Sequence, residues 1–245
     1  MERQAHEQRL DNYLAQYYPS FETGGQLWER LVGAALRPGL RVLDAGAGEN
    51  GLLYKKFPAS GARRVGLDIM PLPDRHPADQ LVQADLGAIP LSDGAFDLVT
   101  SEFVLEHLAD PLAAFREIRR VLRPGGKFIF ITSNVLNPIM AFSKLTPHGI
   151  HALLRDRLLS QPAHETFPTT YRANTSGDLR QLGQAAGFGE IAIQRAGNPG
   201  YFTFSRVLLR GAIAAEKLID RPRLEWLKMY LVGCFTKPGA AAAAP

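Results

Sequence analysis

The residues best placed to do chemistry lie in one short stretch. Val42-Leu43-Asp44-Ala45-Gly46-Ala47-Gly48-Glu49-Asn50-Gly51 is an apolar run that ends in an acid and opens into a glycine-rich turn. A second apolar run, Arg64-Val65-Gly66-Leu67, ends in Asp68, about twenty residues past Gly48. Glycine has no Cβ, so its backbone can come close to a ligand, and a carboxylate ending the next strand can hold a ribose diol. The order of the residues narrows the ligand. A dinucleotide fingerprint reads G-x-G-x-x-G, whereas here the acid precedes the glycines as D-x-G-x-G. A carboxylate at the mouth of such a loop repels a pyrophosphate and suits the ammonium of a zwitterionic ligand.

Four further segments follow in order. They are Gln83-Ala84-Asp85-Leu86, Ala95-Phe96-Asp97-Leu98-Val99-Thr100, Val104-Leu105-Glu106-His107-Leu108-Ala109-Asp110, and Leu122-Arg123-Pro124-Gly125-Gly126-Lys127-Phe128. With the first two, they resemble the class I S-adenosylmethionine-dependent methyltransferases. The branch is the one that includes the ubiquinone/menaquinone-biosynthesis C-methyltransferases and many small-molecule O-methyltransferases. The resemblance spans Arg37 to Thr132 and rests on the ordered set, since a glycine-rich loop alone is weak evidence. It departs at Asn50, where the family usually has glycine; Asn tolerates the left-handed conformation better than most residues.

The resemblance implies an α/β fold: a doubly wound, mostly parallel seven-stranded sheet of Rossmann-like methyltransferase type, with helical cap insertions. It implies S-adenosylmethionine as cofactor and S-adenosylhomocysteine as product. Asp44 would position the methionine ammonium, and Gly46, Ala47 and Gly48 would let the backbone approach. Asp68 would accept both ribose hydroxyls, and Ile69 would pack on the adenine. Asp85 would take the adenine amino group, with the Leu86 amide beside it. Ser101 and Glu102 would end the fourth strand near the activated methyl. Ser-Glu-Phe-Val at that place is unlike the [DNS]-P-P-[YFW] of amino-methyltransferases acting on DNA bases or protein glutamine. Asn137-Pro138 is a partial look-alike, but it follows strand five.

Other residues carry two readings each. His107 can serve as a substrate-side general base or orienting group, because imidazole titrates near neutrality; the plainer reading is a capping or core histidine. His148, His151 and His164 lack a repeated metal-ligand pattern, so no metal is expected, and His148 is a candidate acceptor contact. Tyr171 and Arg172 can face a hydroxylated or acidic acceptor, or simply pack a loop. Tyr13, Tyr17 and Tyr18 fit core packing better than closure over a cofactor. Cys234 is expected inside the last strand as a buried structural thiol. Arg206, Arg210, Lys217, Arg221, Arg223 and Lys228 lie beside apolar residues; packing is favoured there, with peripheral membrane contact as the alternative.

These side chains need a frame to position them. Residues 1–36 read as helical with a break at Pro19, because Leu10, Tyr13, Leu14 and Tyr17 share one face. Strands are expected at Arg41–Asp44, Arg64–Asp68, Gln80–Ala84, Phe96–Ser101, Lys127–Thr132 and Glu190–Arg195. An antiparallel seventh is expected at Met229–Thr236. Helices are expected at Pro111–Leu122 and Asp178–Ala186. Such alternation gives a parallel sheet with its ligand outside the carboxyl ends of the strands. Gly46, Asp68, Asp85 and Ser101 all fall there.

The expected organisation is an N-terminal helical cap (1–36) and a methyltransferase domain (37–238), followed by a low-complexity tail (239–245). Insertions over about 133–172 and 198–227 would cover the substrate. The second reads as two amphipathic helices, with Phe204, Val207, Leu208, Ile213 and Leu218 as the apolar residues of one and Leu224, Trp226 and Leu227 of the other. A net charge of +4 without a basic run argues against nucleic acid as partner; the resemblance implies a small-molecule acceptor, with an RNA or protein methyltransferase or a non-catalytic cofactor-binding scaffold as the alternatives. One cysteine, a polar N-terminus and no span-length apolar stretch fit a cytoplasmic location.

Overall fold

Parallel strands buried on both faces are built on near-continuous apolar runs, and the first and fourth strands here carry such runs ahead of the polar residues at their carboxyl ends. In β1 (Arg41–Ala45), Val42, Leu43 and Ala45 are fully buried. The computed structural model describes residues 2–49, 51–145 and 168–239. After β1 come β2 (Arg63–Asp68), β3 (Gln80–Gln83), β4 (Phe96–Glu102), β5 (Leu122–Ser133), β6 (Glu190–Ala196) and β7 (Tyr230–Thr236). They form one sheet of order β3-β2-β1-β4-β5-β7-β6. Strands β1 to β5 pair in parallel, with Asp44 opposite Gly66 on one side and Thr100 on the other. β7 runs antiparallel to β5. Gly125 and Lys237 join one end, and Asn134 N–H donates to the Met229 carbonyl at the other.

The helices described are α1 (Glu2–Tyr17), α2 (Gly24–Ala35), α3 (Leu52–Lys56), α4 (Pro111–Val121), α5 (Pro138–Leu145), α6 (Ser176–Ala186) and α7 (Arg206–Ile219). Their ends follow local chemistry. Asp110 accepts from Ala113 N–H with Pro111 in the first turn, and Thr175 accepts from Asp178 N–H. Gly187, at φ 86°, closes α6.

The chain divides into two compact units. The larger comprises Gly25–Thr132, Thr169–Gln194 and Leu231–Pro245 and carries the sheet. Its core centres on Phe115, Phe128, Phe130, Phe188 and Phe235, whose rings meet mostly edge to face. Gly233 lies under Phe130, where a methyl group would collide with the ring. Gly233→Ala is therefore expected to destabilise the fold by about 3 kcal/mol, read as a lowered urea midpoint at constant slope; an unchanged midpoint would contradict that packing.

The smaller unit comprises Met1–Gly24, Ser133–Pro168 and Arg195–Tyr230. Leu14 packs there with Leu209 and Ile213, flanked by Tyr13, Tyr17 and Tyr18. Buried Lys228 bonds Glu216 (2.8 Å) and Asp220 (2.5 Å). Asn137 donates to the Leu227 carbonyl, which makes it a structural tie rather than a site residue.

Several expectations are corrected. β5 starts at Leu122, with an irregularity in register where Pro124-Gly125-Gly126 bulges the strand. The expected second amphipathic helix is only a 3-10 turn at Glu225–Leu227. On α7 the inward side chains are Leu209, Ile213 and Glu216, while Val207, Leu208 and Leu218 face solvent. Both faces are apolar, so periodicity could not choose between them. Cys234 is half-buried rather than buried, and partial burial pushes its thiol pKa up. Asn50, His148, His151, His164 and residues 240–245 lie outside the described residues.

Candidate active site

The glycine turn crosses the end of β2. Gly46 and Ala47 both donate to the Leu67 carbonyl, at 2.8 and 3.0 Å. Gly46 adopts φ 83° and sits against Val104, so a side chain there is excluded twice. Gly48 donates to Asp68 Oδ2 at 3.0 Å, and Met70 N–H donates to Asp68 Oδ1 at 3.0 Å. Two amides therefore orient the Asp68 carboxylate, and each oxygen keeps a lone pair for another donor. Ala84 N–H binds the Asp68 carbonyl, which ties the ends of β2 and β3 together. Ile69 is exposed beside them. Asp85 is exposed and accepts from Gly87 N–H at 2.6 Å, while the Leu86 side chain turns into the core.

Asp44 is buried, 5% exposed, and accepts from Thr100 Oγ1 at 3.2 Å. Burial pushes its carboxyl up to about 7; the Glu102 and Asp68 charges add to the rise, while Thr100 and Lys56 oppose it. Ser101 Oγ, Glu102 Oε2 and Tyr54 Oη are buried without a hydrogen-bond partner in the protein. The other Glu102 oxygen accepts from Lys56 Nζ at 2.9 Å; Lys56 also pairs with Glu29 and lies over the Trp28 ring, whose Nε1 is likewise buried and unpartnered. Unpaired buried polar atoms are costly and rare. Asp44, Ser101, Glu102, Tyr54 and Trp28 are thus a set of donors and acceptors suited to a small charged and polar ligand.

The second cluster is the turn after β4. His107 ends the 3-10 turn Leu105–His107 and is half-buried. Glu106 beside it is buried and accepts from Thr132 Oγ1 at 2.8 Å, and Thr132 in turn accepts from Asn174 Nδ2 at 2.8 Å. Thr170 and Tyr171 N–H both donate to the Glu106 carbonyl, and the Arg172 guanidinium donates to the Ala109 carbonyl at 2.7 Å. Tyr171 holds φ 51°, uncommon for a bulky residue. The Thr170–Arg172 segment therefore straps the His107 turn.

Sequence reasoning missed Thr100, Trp28, Tyr54, Lys56 and Glu106. Also missed was His76, which is buried edge-on against Tyr54, with its pKa lowered by burial. Of these, Thr100 and Glu106 stood inside segments already quoted.

A glycine turn, an acid ending each of the first two strands and a buried polar set define the class. Residues 43–130 match the methyltransferase domain family, and over this stretch the chain is similar to the class I S-adenosylmethionine-dependent methyltransferases. Among sequence relatives, the ubiquinone biosynthesis O-methyltransferase of Xanthomonas oryzae pv. oryzae (strain PXO99A) is 34% identical over 131 residues, 46% of this chain and 54% of that protein. An uncharacterized 37.1 kDa protein in transposon TN4556 of Streptomyces fradiae is 38% identical over 104 residues, 38% of this chain and 30% of that protein. The chain spans about half the length of the ubiquinone relatives it matches. Two solved structures share the fold. The [4+2]-cyclase SpnF gives a TM-score of 0.54 at 19% identity, covering 86% of this chain and 80% of that one. Phosphoethanolamine N-methyltransferase 2 of Haemonchus contortus, in complex with phosphomonomethylethanolamine and S-adenosylhomocysteine, gives 0.55 at 17% identity, covering 89% and 54%.

Proposed function

We propose that the chain binds S-adenosylmethionine and transfers its methyl group to a small-molecule acceptor, releasing S-adenosylhomocysteine. The observation that carries the reading is the buried Asp44 carboxyl beside unpartnered Ser101, Glu102 and Tyr54 atoms at the ends of β1 and β4 and in α3. Asp44 and Glu102 can accept from an ammonium, while Ser101 and Tyr54 can donate to a carboxylate. Asp68, oriented by two amides, accepts from the ribose hydroxyls. Ile69 covers one face of the adenine, and Asp85 with the Leu86 amide meets its edge.

The bound cofactor supplies a sulfonium-activated methyl, so the protein's task is orientation and water exclusion. His107, fixed by the Glu106–Thr132 bond and the Thr170–Arg172 strap, accepts the proton of an acceptor hydroxyl; Glu102, Tyr171 and Arg172 are the candidate acceptor contacts. An oxygen acceptor of glycan, polyketide or other secondary-metabolite class fits best, because the ubiquinone relatives are O-methyltransferases. The SpnF match is a reason to test turnover and not binding alone.

The deciding experiment is calorimetric titration with S-adenosylmethionine and S-adenosylhomocysteine, NAD serving as control, followed by an acceptor screen. Binding of both sulfur ligands and not NAD, with methylated product, supports the proposal; binding without turnover on any acceptor points to a cofactor-binding scaffold. His107→Ala is expected to lower kcat roughly 10²-fold or more at unchanged cofactor affinity. Full activity in that variant removes His107 from the mechanism.

A further inference from the structure

Among the described residues, seven of the nine large apolar side chains that face solvent belong to the smaller unit. The other two, Ile69 and Met70, flank the nucleoside end of the candidate site. Scattered exposed apolar residues need no explanation, but an aligned set does. On α7 (Arg206–Ile219), Val207 is 79% exposed and Leu218 48% exposed. Eleven residues apart on an α-helix, they share one line, with Gly211 and Ala214 exposed between them. Leu208 and Ala215 widen this stripe on one side. The opposite side of α7 is buried through Leu209, Ile213 and Glu216.

The other edge of the stripe is basic. Arg206, Arg210 and Lys217 fall on one line there and are exposed. Arg210 is braced by the Tyr17 hydroxyl and ring, and Lys217 lies over the Tyr18 ring. These contacts orient the cations without neutralising them. Arg221 and Arg223 are also exposed just beyond the helix, followed by Trp226 at 47% exposure. The acids of α7 and its C-cap, Glu216 and Asp220, are both bound to Lys228, so neither is left to balance the basic edge.

We infer that the outer face of α7 docks the protein on an anionic lipid surface. Charge complementarity selects that occupant. An apolar stripe a few residues wide, edged by arginine and lysine and ended by tryptophan, suits the boundary between headgroups and acyl chains. A second copy packing antiparallel through the same stripe would bring the two basic edges together. No described helix is long and apolar enough to cross a membrane, so the contact is interfacial.

The test is co-sedimentation of the full chain with vesicles of phosphatidylcholine alone or mixed with phosphatidylglycerol. The expected result is binding to the anionic vesicles at low salt, weakened roughly tenfold or more by V207D/L218D and by raised salt. Both positions are exposed, so the variant should keep its circular dichroism spectrum. Three results overturn the inference: no binding to anionic vesicles at low salt, equal binding by the folded V207D/L218D variant, or a wild-type dimer that the variant turns into a monomer without any lipid binding by either.

Discussion

Asp68→Ala is expected to weaken S-adenosylmethionine binding by about a hundredfold or more. The carboxylate accepts from Gly48 and Met70 amides and so holds both the glycine turn and the start of the β2–β3 connection. A hydrogen bond to a charged group contributes about 1.5–3 kcal/mol. Loss of two such bonds to ribose hydroxyls reaches a hundredfold before the released turn is considered. Asp68→Asn separates the contributions, since it keeps one acceptor oxygen and loses the charge; an intermediate affinity is expected. Calorimetry with both sulfur ligands is the measurement, and wild-type affinity in Asp68→Ala would refute the ribose assignment.

Asp44→Asn is expected to lose cofactor affinity by about a hundredfold while stabilising the ligand-free protein. A buried acceptor facing an ammonium is costly to neutralise, because the cation is then left unpaired. The same carboxyl is a burden without ligand. Its pKa is about 7 in the fold against 3.8 for an ordinary aspartate. Between those values the folded chain keeps a proton that the unfolded chain has released, so folding stability falls as pH rises through the window and levels off above it. An ammonium ligand selects the ionised form, so wild-type affinity should drop about tenfold per pH unit below 7. In Asp44→Asn both slopes should vanish, and the melting temperature at pH 8 should rise. A variant that melts lower and retains the pH dependence of binding would show that Asp44 is not the titrating group.

The legible part of this molecule is the part where chemistry and strand geometry coincide. Asp44, Gly46 and Asp68 end apolar runs, and a buried parallel strand has to be such a run, so the sheet and the carboxyl-end position of these residues follow together. The surrounding polar set is much less legible. Trp28 and Lys56 lie far apart in sequence and meet through a ring contact beside the Lys56 ion pairs with Glu29 and Glu102, none of which leaves a periodic trace. Glu106 stands in a motif whose histidine draws attention, yet it is the glutamate that points inward to Thr132. Helix α7 defeats periodicity for another reason. Leu209 and Ile213 on one side and Val207 and Leu218 on the other are equally apolar, so burial is decided by Leu14 and the tyrosines of α1.

The two compact units alternate five times along the backbone, at 24/25, 132/133, 168/169, 194/195 and 230/231. Neither is a continuous segment. The smaller one cannot be expressed by itself, nor traded between homologues in a single recombination event, because three separate stretches would have to change hands together. Diversification of such a chain must proceed through point substitutions and loop-length changes within each stretch. A chimera that swaps only residues 195–230 leaves α1 matched to a partner it no longer has.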